Sequence, residues 1–185
     1  MARAITTVMI TDPVSILKNI EDRCRIAATG LPQKAETRRL WSGVAFRIGH
    51  SRMVAALGGV VEILIYPELS VVPNTRSWVR GIANLRGKLL PVIDMNGYLH
   101  GCLTSLGKRT RVLVVDCEGV YTGLVVDEVM GLKHFSEETF VTKFSGIDEA
   151  LRPYVDQGFC VDGEHWGIFR LLNLVESPQF QHAAG

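Results

Sequence analysis

The stretch Val79–Asp94 constrains the fold more than any other part of this 185-residue sequence. Two short apolar segments, Ile82–Leu85 and Leu89–Ile93, lie on either side of a turn at Arg86-Gly87. Such a pattern is typical of two strands joined by a tight turn, because glycine readily adopts a positive φ. Pro91 lacks an amide donor, which places its part of the second strand at a sheet edge or a bulge. The stretch therefore predicts a β-hairpin with Arg86 at its tip.

Arg86 has two interpretations. The first is a solvated arginine in a surface turn. The second is a positioned arginine that faces a partner, since its guanidinium stays charged and presents a planar fork of donors. The residues around Arg86 leave both interpretations open.

The strand pattern occurs twice along the chain. In each unit a strand, a tight turn and a return strand are followed by a Val-x-Glu-aliphatic step. We interpret this order as an internal repeat and predict two related small barrels. The matching segments are Val44–Ile48, Met53–Leu57 and Val60–Ile63 in the first unit, and Arg111–Asp116, Val120–Val126 and Val126–Val129 in the second.

Two helices have clear starting signals. Asp12 and Pro13 suit the N-cap and the first helical position, and Gly30 ends the pattern, so we predict a helix over residues 12–29. Its narrow apolar stripe either lies on the protein's own barrel or is reserved for a partner. Asp94 is the predicted N-cap of a second, short helix that ends at Gly101, a structural role that we prefer to a catalytic one. The stripe of the first helix consists of Ile16, Ile20, Cys24 and Ala27.

Composition excludes several classes of function. The net charge is +1 and no basic block is present, which argues against a nucleic-acid partner. Apolar runs are far too short for a membrane span, and the N-terminus has no signal-peptide pattern. We therefore expect a cytoplasmic protein without membrane insertion. An apolar content of 47% with 21% charged residues is typical of a folded domain with a substantial core.

Motifs for catalysis and metal binding are absent from the sequence. It contains no P-loop, no Gly-x-Gly-x-x-Gly, no Gly-x-Ser-x-Gly and no His-Glu-x-x-His. The four cysteines form no Cys-x-x-Cys pair, so neither a zinc site nor a disulfide framework is predicted. We expect no cofactor, no metal and no catalytic residues. A small hydrolase that uses Asp116, Asp127 and a histidine is the least favoured alternative.

Three motifs together resemble the CheW-like coupling proteins of bacterial chemosensory arrays. They are the Arg-Gly-Ile-Ala-Asn-Leu-Arg-Gly segment that begins at Arg80 and continues to Pro91–Asp94, the Val-Val-Glu-Ile segment at Val60–Ile63, and Gly123–Val129. The N-terminal extension and the entry at Trp41–Gly43 are most similar to the twitching-motility branch, the PilI-like adaptors. The resemblance implies a mainly β fold of two SH3-like, five-stranded β-barrel lobes packed around an apolar seam. We divide the chain into an extension, 1–40, and a CheW-like domain, 41–180, with lobes at about 41–100 and 109–170 and a closing helix at about 170–176.

The resemblance also implies a function and a site. Members of the family are non-catalytic adaptors that couple chemoreceptors to a CheA-type histidine kinase, whose regulatory domain they bind. A free-standing SH3-like peptide-binding scaffold is the main alternative. The resemblance gives no positions for the kinase-binding residues, which are not placed. The positions that match the groove for the helical-hairpin tip of a chemoreceptor are Leu57, Val60, Glu62, Ile63, Asn84 and Arg86.

Overall fold

The computed structural model describes residues 12–27, 40–142 and 146–183. The chain divides into two compact units, Met1–Arg38 and Arg39–Gly185. The first contains helix α1, Pro13–Ala27, which begins directly after Asp12 as the sequence predicts. Residues 28 and 29 of the predicted helix lie outside the described part of the chain. The apolar side chains described on α1 are all exposed, namely Val14, Ile16, Leu17 and Ile20.

The second unit is built mainly from β-strands, which confirms the predicted fold class. Three short 3-10 turns connect them, at Leu57–Gly59, Glu137–Thr139 and Glu149–Tyr154. No helix in the described ranges is long and apolar enough to cross a bilayer. The remaining elements are β1 Leu40–Ile48, β2 Ser51–Ala56, β3 Val60–Ile65, β4 Val79–Leu85, β5 Lys88–Asp94, α2 Met95–His100, β6 Arg111–Cys117, β7 Val120–Val126, β8 Glu128–Ser136, β9 Phe140–Val141, β10 Val155–Val161, β11 Glu164–Phe169, α3 Leu171–Val175 and α4 Pro178–Gln181.

The strands form one six-stranded and one five-stranded sheet. Their orders are β8-β1-β2-β11-β10-β9 and β3-β6-β7-β5-β4. Apart from β9 the two orders correspond strand for strand, so the internal repeat predicted from the sequence is present in the topology. In each sheet the second strands of two hairpins pair with each other in parallel. These pairs are β2 with β11 and β7 with β5. Two five-stranded lobes were expected, and β9 makes one of the sheets six-stranded.

The predicted lobe boundaries need correction, because the two repeats exchange strands. Hairpin β1–β2 belongs with the strands after residue 128, while β3, β4 and β5 pair with β6 and β7. The lobes therefore do not correspond to residues 41–100 and 109–170. The chain changes sheet at the turn Leu57–Gly59 and again at Asp127, between β7 and β8. A repeat in the sequence reveals the order of strands, but not which copy supplies each strand.

Three apolar clusters explain why the central strands are almost continuously hydrophobic. The side chains of β6 point alternately to two of these clusters. Leu113 and Val115 lie in the seam between the two sheets, and Val112 and Val114 lie in the interior of the five-stranded sheet. Strand β1 sends Phe46 to the same seam and Ala45 into the interior of the six-stranded sheet. Strands that are buried on both faces read as hydrophobic runs rather than as an alternating pattern.

Helix α2 begins at Asp94, as the sequence predicts. The Asp94 carboxylate accepts a hydrogen bond from the Gly97 amide at 2.9 Å, which makes Asp94 the N-cap. The helix ends at Gly101, whose φ of 72° lies in the left-handed region that glycine adopts without strain. The structural role expected of Asp94 is therefore confirmed.

Candidate functional site

The tip of the β4–β5 hairpin positions Arg86. Leu85 pairs with Lys88, so the loop contains only Arg86 and Gly87, with φ values of 52° and 85°. Two consecutive left-handed residues are typical of the type I′ turn that fits the twist of a hairpin. The Asn84 side chain accepts a hydrogen bond from the Gly87 amide at 2.8 Å and so stabilises the turn from the strand side. The hairpin is the one predicted from the sequence, with Arg86 at its tip.

Arg86 forms an ion pair with Glu62 of the neighbouring edge strand β3. Its Nη2 donates to Glu62 Oε1 at 2.9 Å, and the Arg86 side chain is 79% exposed. An ion pair this exposed adds little to the stability of the fold, about 0–1 kcal/mol. A guanidinium has five N–H donors, so one bond to Glu62 leaves donors that can reach another molecule. The pair orients Arg86 without burying it.

Strand β3 presents a row of exposed apolar side chains. It is the edge of the five-stranded sheet, and the exposed fractions of Val61, Ile63 and Ile65 are 60%, 41% and 76%. A break in register with β6 occurs between Val60 and Glu62. Such a row on an edge strand is an exposed apolar patch of the kind that marks a binding surface.

The break in register decides which predicted residues share a face. Val60 lies opposite Val115 and Ile63 opposite Leu113, and both of these partners point into the seam between the sheets. Directly opposed residues share a face, so Val60 and Ile63 lie on the same side of β3. Glu62 lies opposite Val114 and therefore on the other side.

Five of the six predicted site residues thus fall into two adjacent groups. Glu62, Asn84 and Arg86 meet at the hairpin tip, whereas Val60 and Ile63 occupy the other face of β3. Leu57 is 47% exposed in the turn that precedes β3. Val60 is half-buried and packs on the main core, so its structural role is evident.

Two exposed residues of this surface, Val61 and Ile65, were missed in the sequence. The run Val60–Ile65 has five apolar residues in six, and such a run does not reveal which side chains are exposed. Its position at a sheet edge was the missing information, and only the topology supplies it.

A cavity of about 860 Å³ opens next to this surface, on the six-stranded sheet. Ala56 and Gly59, on either side of Leu57 and Gly58, line one wall. A Cβ on Gly59 would lie 2.5 Å from Leu171, so the turn packs closely on α3. The aromatic side chains of the lining are Trp41, Phe140, Phe159 and Phe169.

The carboxylates proposed for a hydrolase have structural contacts instead. Asp127 accepts hydrogen bonds from the Gly49 amide at 2.7 Å and from Asn96 Nδ2 at 3.0 Å. Asp116 is exposed near the end of β6. Within the described ranges, no three His, Cys, Asp or Glu side chains converge on a point that could hold a metal ion. Next to β3, burial raises the pKa of Tyr66, an effect that Arg80 opposes and Asp94 reinforces.

Comparison with known proteins identifies the family. The CheW-like domain matches residues 42–179 of the chain. This chain belongs to the CheW-like family. Protein PilI of Pseudomonas aeruginosa is 42% identical over 95% of this chain and 98% of PilI. Protein FrzA of Myxococcus xanthus is 34% identical over 48% of this chain and 55% of FrzA.

A solved structure supports the fold independently. The scaffolding protein TtCheW from Thermoanaerobacter tengcongensis superimposes with a TM-score of 0.62 over 75% of this chain and 94% of TtCheW, at 24% sequence identity. Membership of the CheW-like family makes this chain a coupling adaptor of chemosensory type and not an enzyme. The hydrolase alternative is therefore excluded by the family.

Proposed function

We propose that this protein is a cytoplasmic adaptor that joins a chemoreceptor to a CheA-type histidine kinase, in an array that controls twitching motility by type IV pili. The similarity to PilI over nearly the whole chain supports the assignment to pili. The receptor is held at its helical-hairpin tip, and the kinase is held through its regulatory domain on a different surface. Neither partner is modified, since the adaptor acts by position alone.

The observation that carries this proposal is the exposed apolar edge of β3 beside the Arg86–Glu62 pair. Binding surfaces combine an apolar centre with a few directed polar groups at the rim. Here Ile63 and Leu57 supply apolar surface and Arg86 supplies the directed charge. A helical hairpin presents side chains at helical spacing, which can lie along such a row and accept hydrogen bonds from the guanidinium.

Replacement of Arg86 by Ala tests the polar part of the surface. We expect affinity for a soluble fragment that contains the receptor tip to fall by about 1–3 kcal/mol, the scale of a lost hydrogen bond to a charged group. The melting temperature should change little, because the Arg86 side chain is 79% exposed and its ion pair adds little stability. Affinity for the kinase regulatory domain should stay the same, because we place the kinase elsewhere.

Two matched variants serve as controls. Arg170→Ala removes another exposed arginine–carboxylate pair, the one with Asp156 at 3.1 Å, and should leave tip binding intact. Ile63→Ser should weaken tip binding, whereas Leu132→Ser, on edge strand β8 of the other sheet, should not. Equal losses toward receptor and kinase in Arg86→Ala would show that the two surfaces are not separate. A large fall in its melting temperature would assign Arg86 a structural role and remove it from the binding surface.

A further inference from the structure

A chain of hydrogen bonds runs from one sheet to the other through the side chain of Asn96. Its first end is the Asp94 carboxylate at the end of β5, which is 0% exposed. Arg80 Nε donates to Asp94 Oδ2 at 2.8 Å, and Thr104 Oγ1 donates to Asp94 Oδ1 at 2.8 Å. Arg80 lies on β4, the strand that leads to the Arg86 tip. This end therefore belongs to the five-stranded sheet and to the proposed binding hairpin.

The second end is the Asp127 carboxylate, at the point where the chain leaves the five-stranded sheet for the six-stranded one. Its Oδ2 accepts the Gly49 amide at 2.7 Å, in the turn between β1 and β2. The Asp127 amide donates to the Arg47 carbonyl at 3.1 Å, and the Arg47 guanidinium approaches the Asp127 carboxylate to 4.0 Å. This end is thus fixed to the six-stranded sheet through backbone groups.

Asn96, in α2, joins the two ends. Its Nδ2 donates to Thr104 Oγ1 at 2.9 Å and to Asp127 Oδ2 at 3.0 Å. An amide nitrogen carries two donors, which matches two acceptors at once. An aspartate of the same shape would instead place a third carboxylate between Asp94 and Asp127. In the described residues no buried side-chain nitrogen or oxygen lacks a hydrogen-bond partner.

We propose that Asn96 is a positioning residue that couples the binding hairpin β4–β5 to the hairpin β1–β2 of the other sheet. The link from this coupling to receptor binding rests on the proposed function. A displacement of Arg80 and Asp94 on receptor binding reaches Gly49 through Thr104, Asn96 and Asp127. Residues in one hydrogen-bond network are energetically coupled, so a change at one end alters the free energy of the interactions at the other.

A double-mutant cycle measures this coupling without any partner. Arg80→Lys and Asp127→Asn lie at the two ends, and their effects on the unfolding equilibrium constant are measured by denaturation, singly and together. We expect them to be non-additive by about 5-fold or more with Asn96 present, and additive within about 2-fold in the Asn96→Ala background, the behaviour of unconnected sites. Arg80→Lys with Asp156→Asn is the control cycle and should be additive. Additivity with Asn96 present would overturn the inference.

A second measurement avoids the Asn96 variant, in case Asn96→Ala does not fold. Arg80→Lys should shift the backbone amide resonance of Gly49, with a smaller effect on the amide of Gly119 in another tight turn. An unchanged Gly49 resonance would contradict the inference.

The link to function is tested with the receptor-tip fragment and the kinase regulatory domain. In the native protein, binding of the receptor-tip fragment should change the affinity for the kinase regulatory domain by about 5-fold or more. In Asn96→Ala that factor should fall below about 2-fold, while each partner alone binds normally. An unchanged factor in the variant would overturn the role of Asn96 and leave the proposed function standing. Failure of the native protein to bind the tip fragment would overturn the proposed function, and the stability cycle would still decide the inter-sheet coupling.

Discussion

Replacement of Asp94 by Asn is the change from which we expect the greatest loss of stability per atom altered. The carboxylate is 0% exposed and the Arg80 side chain only 18% exposed. The carboxylate accepts bonds from Arg80, from Thr104 and from the Gly97 amide. Asparagine has the same shape, but its amide nitrogen would face donors and the arginine would lose its counter-charge. Removal of one partner of a buried ion pair costs about 3–5 kcal/mol, since it leaves an uncompensated charge.

Urea denaturation followed by fluorescence measures this cost. With a slope of about 2 kcal/mol per molar urea, 3–5 kcal/mol lowers the midpoint by roughly 1.5–2.5 M. Asp116→Asn is the matched control, because the exposed carboxylate of Asp116 should be replaceable within about 0.5 kcal/mol. Arg80→Met combined with Asp94→Asn should recover part of the loss, since it removes the unpaired charge. A loss below about 1 kcal/mol in Asp94→Asn, or no recovery in the double variant, would refute this reasoning.

Two further predictions concern backbone geometry and pH. Gly81→Ala should lower the melting temperature far more than Gly87→Ala. Both glycines have positive φ, but a Cβ on Gly81 would clash with the Ser70 carbonyl, whereas a Cβ on Gly87 meets nothing within 4 Å. Gly87→Ala therefore carries only the conformational cost of a left-handed alanine, about 1 kcal/mol. Burial raises the pKa of Tyr98, which also bonds to Tyr154, so its neutral form is favoured in the folded state. The contribution of Tyr98 to the free energy of unfolding should therefore be fully present below about pH 10 and be lost as the pH rises further. In Tyr98→Phe, the free energy of unfolding should decline less steeply at alkaline pH.

Local features of the fold could be predicted from the sequence where local chemistry determines them. The hairpin turn at Gly87 and the N-cap at Asp94 each depend on residues only a few positions apart. The internal repeat was also visible, because the order of strands is a property of the chain. The predicted lobe boundaries were wrong because they depend on which sheet contains β3, the strand that follows the turn Leu57–Gly59. No local sequence pattern determines that.

The candidate site shows the same limit. Arg86 could be placed at a turn, but its pairing with Glu62 depends on β3 lying beside the hairpin tip, at a separation of 24 residues along the chain. Val60 and Ile63 lie on one face of β3 only because of the break in register at Val61, which the sequence does not reveal. The hydrogen-bonded chain through Asn96 could not be predicted, because its members come from β4, β5, α2 and three separate connections between elements.

Strand exchange bears directly on how an adaptor could transmit a change in geometry. Each sheet contains strands from both repeats, and the parallel pairs β2–β11 and β5–β7 tie them together. Edge strand β3 pairs with β6, β6 pairs with β7, and β7 leads through Asp127 into β8 of the other sheet. The two sheets therefore share both a covalent crossover and a polar link at one place, Asp127. If two lobes were instead built from separate halves of the chain, one linker would join them and a shift in one lobe could be absorbed there. The exchange removes that freedom, which fits the coupling role that we propose for this adaptor.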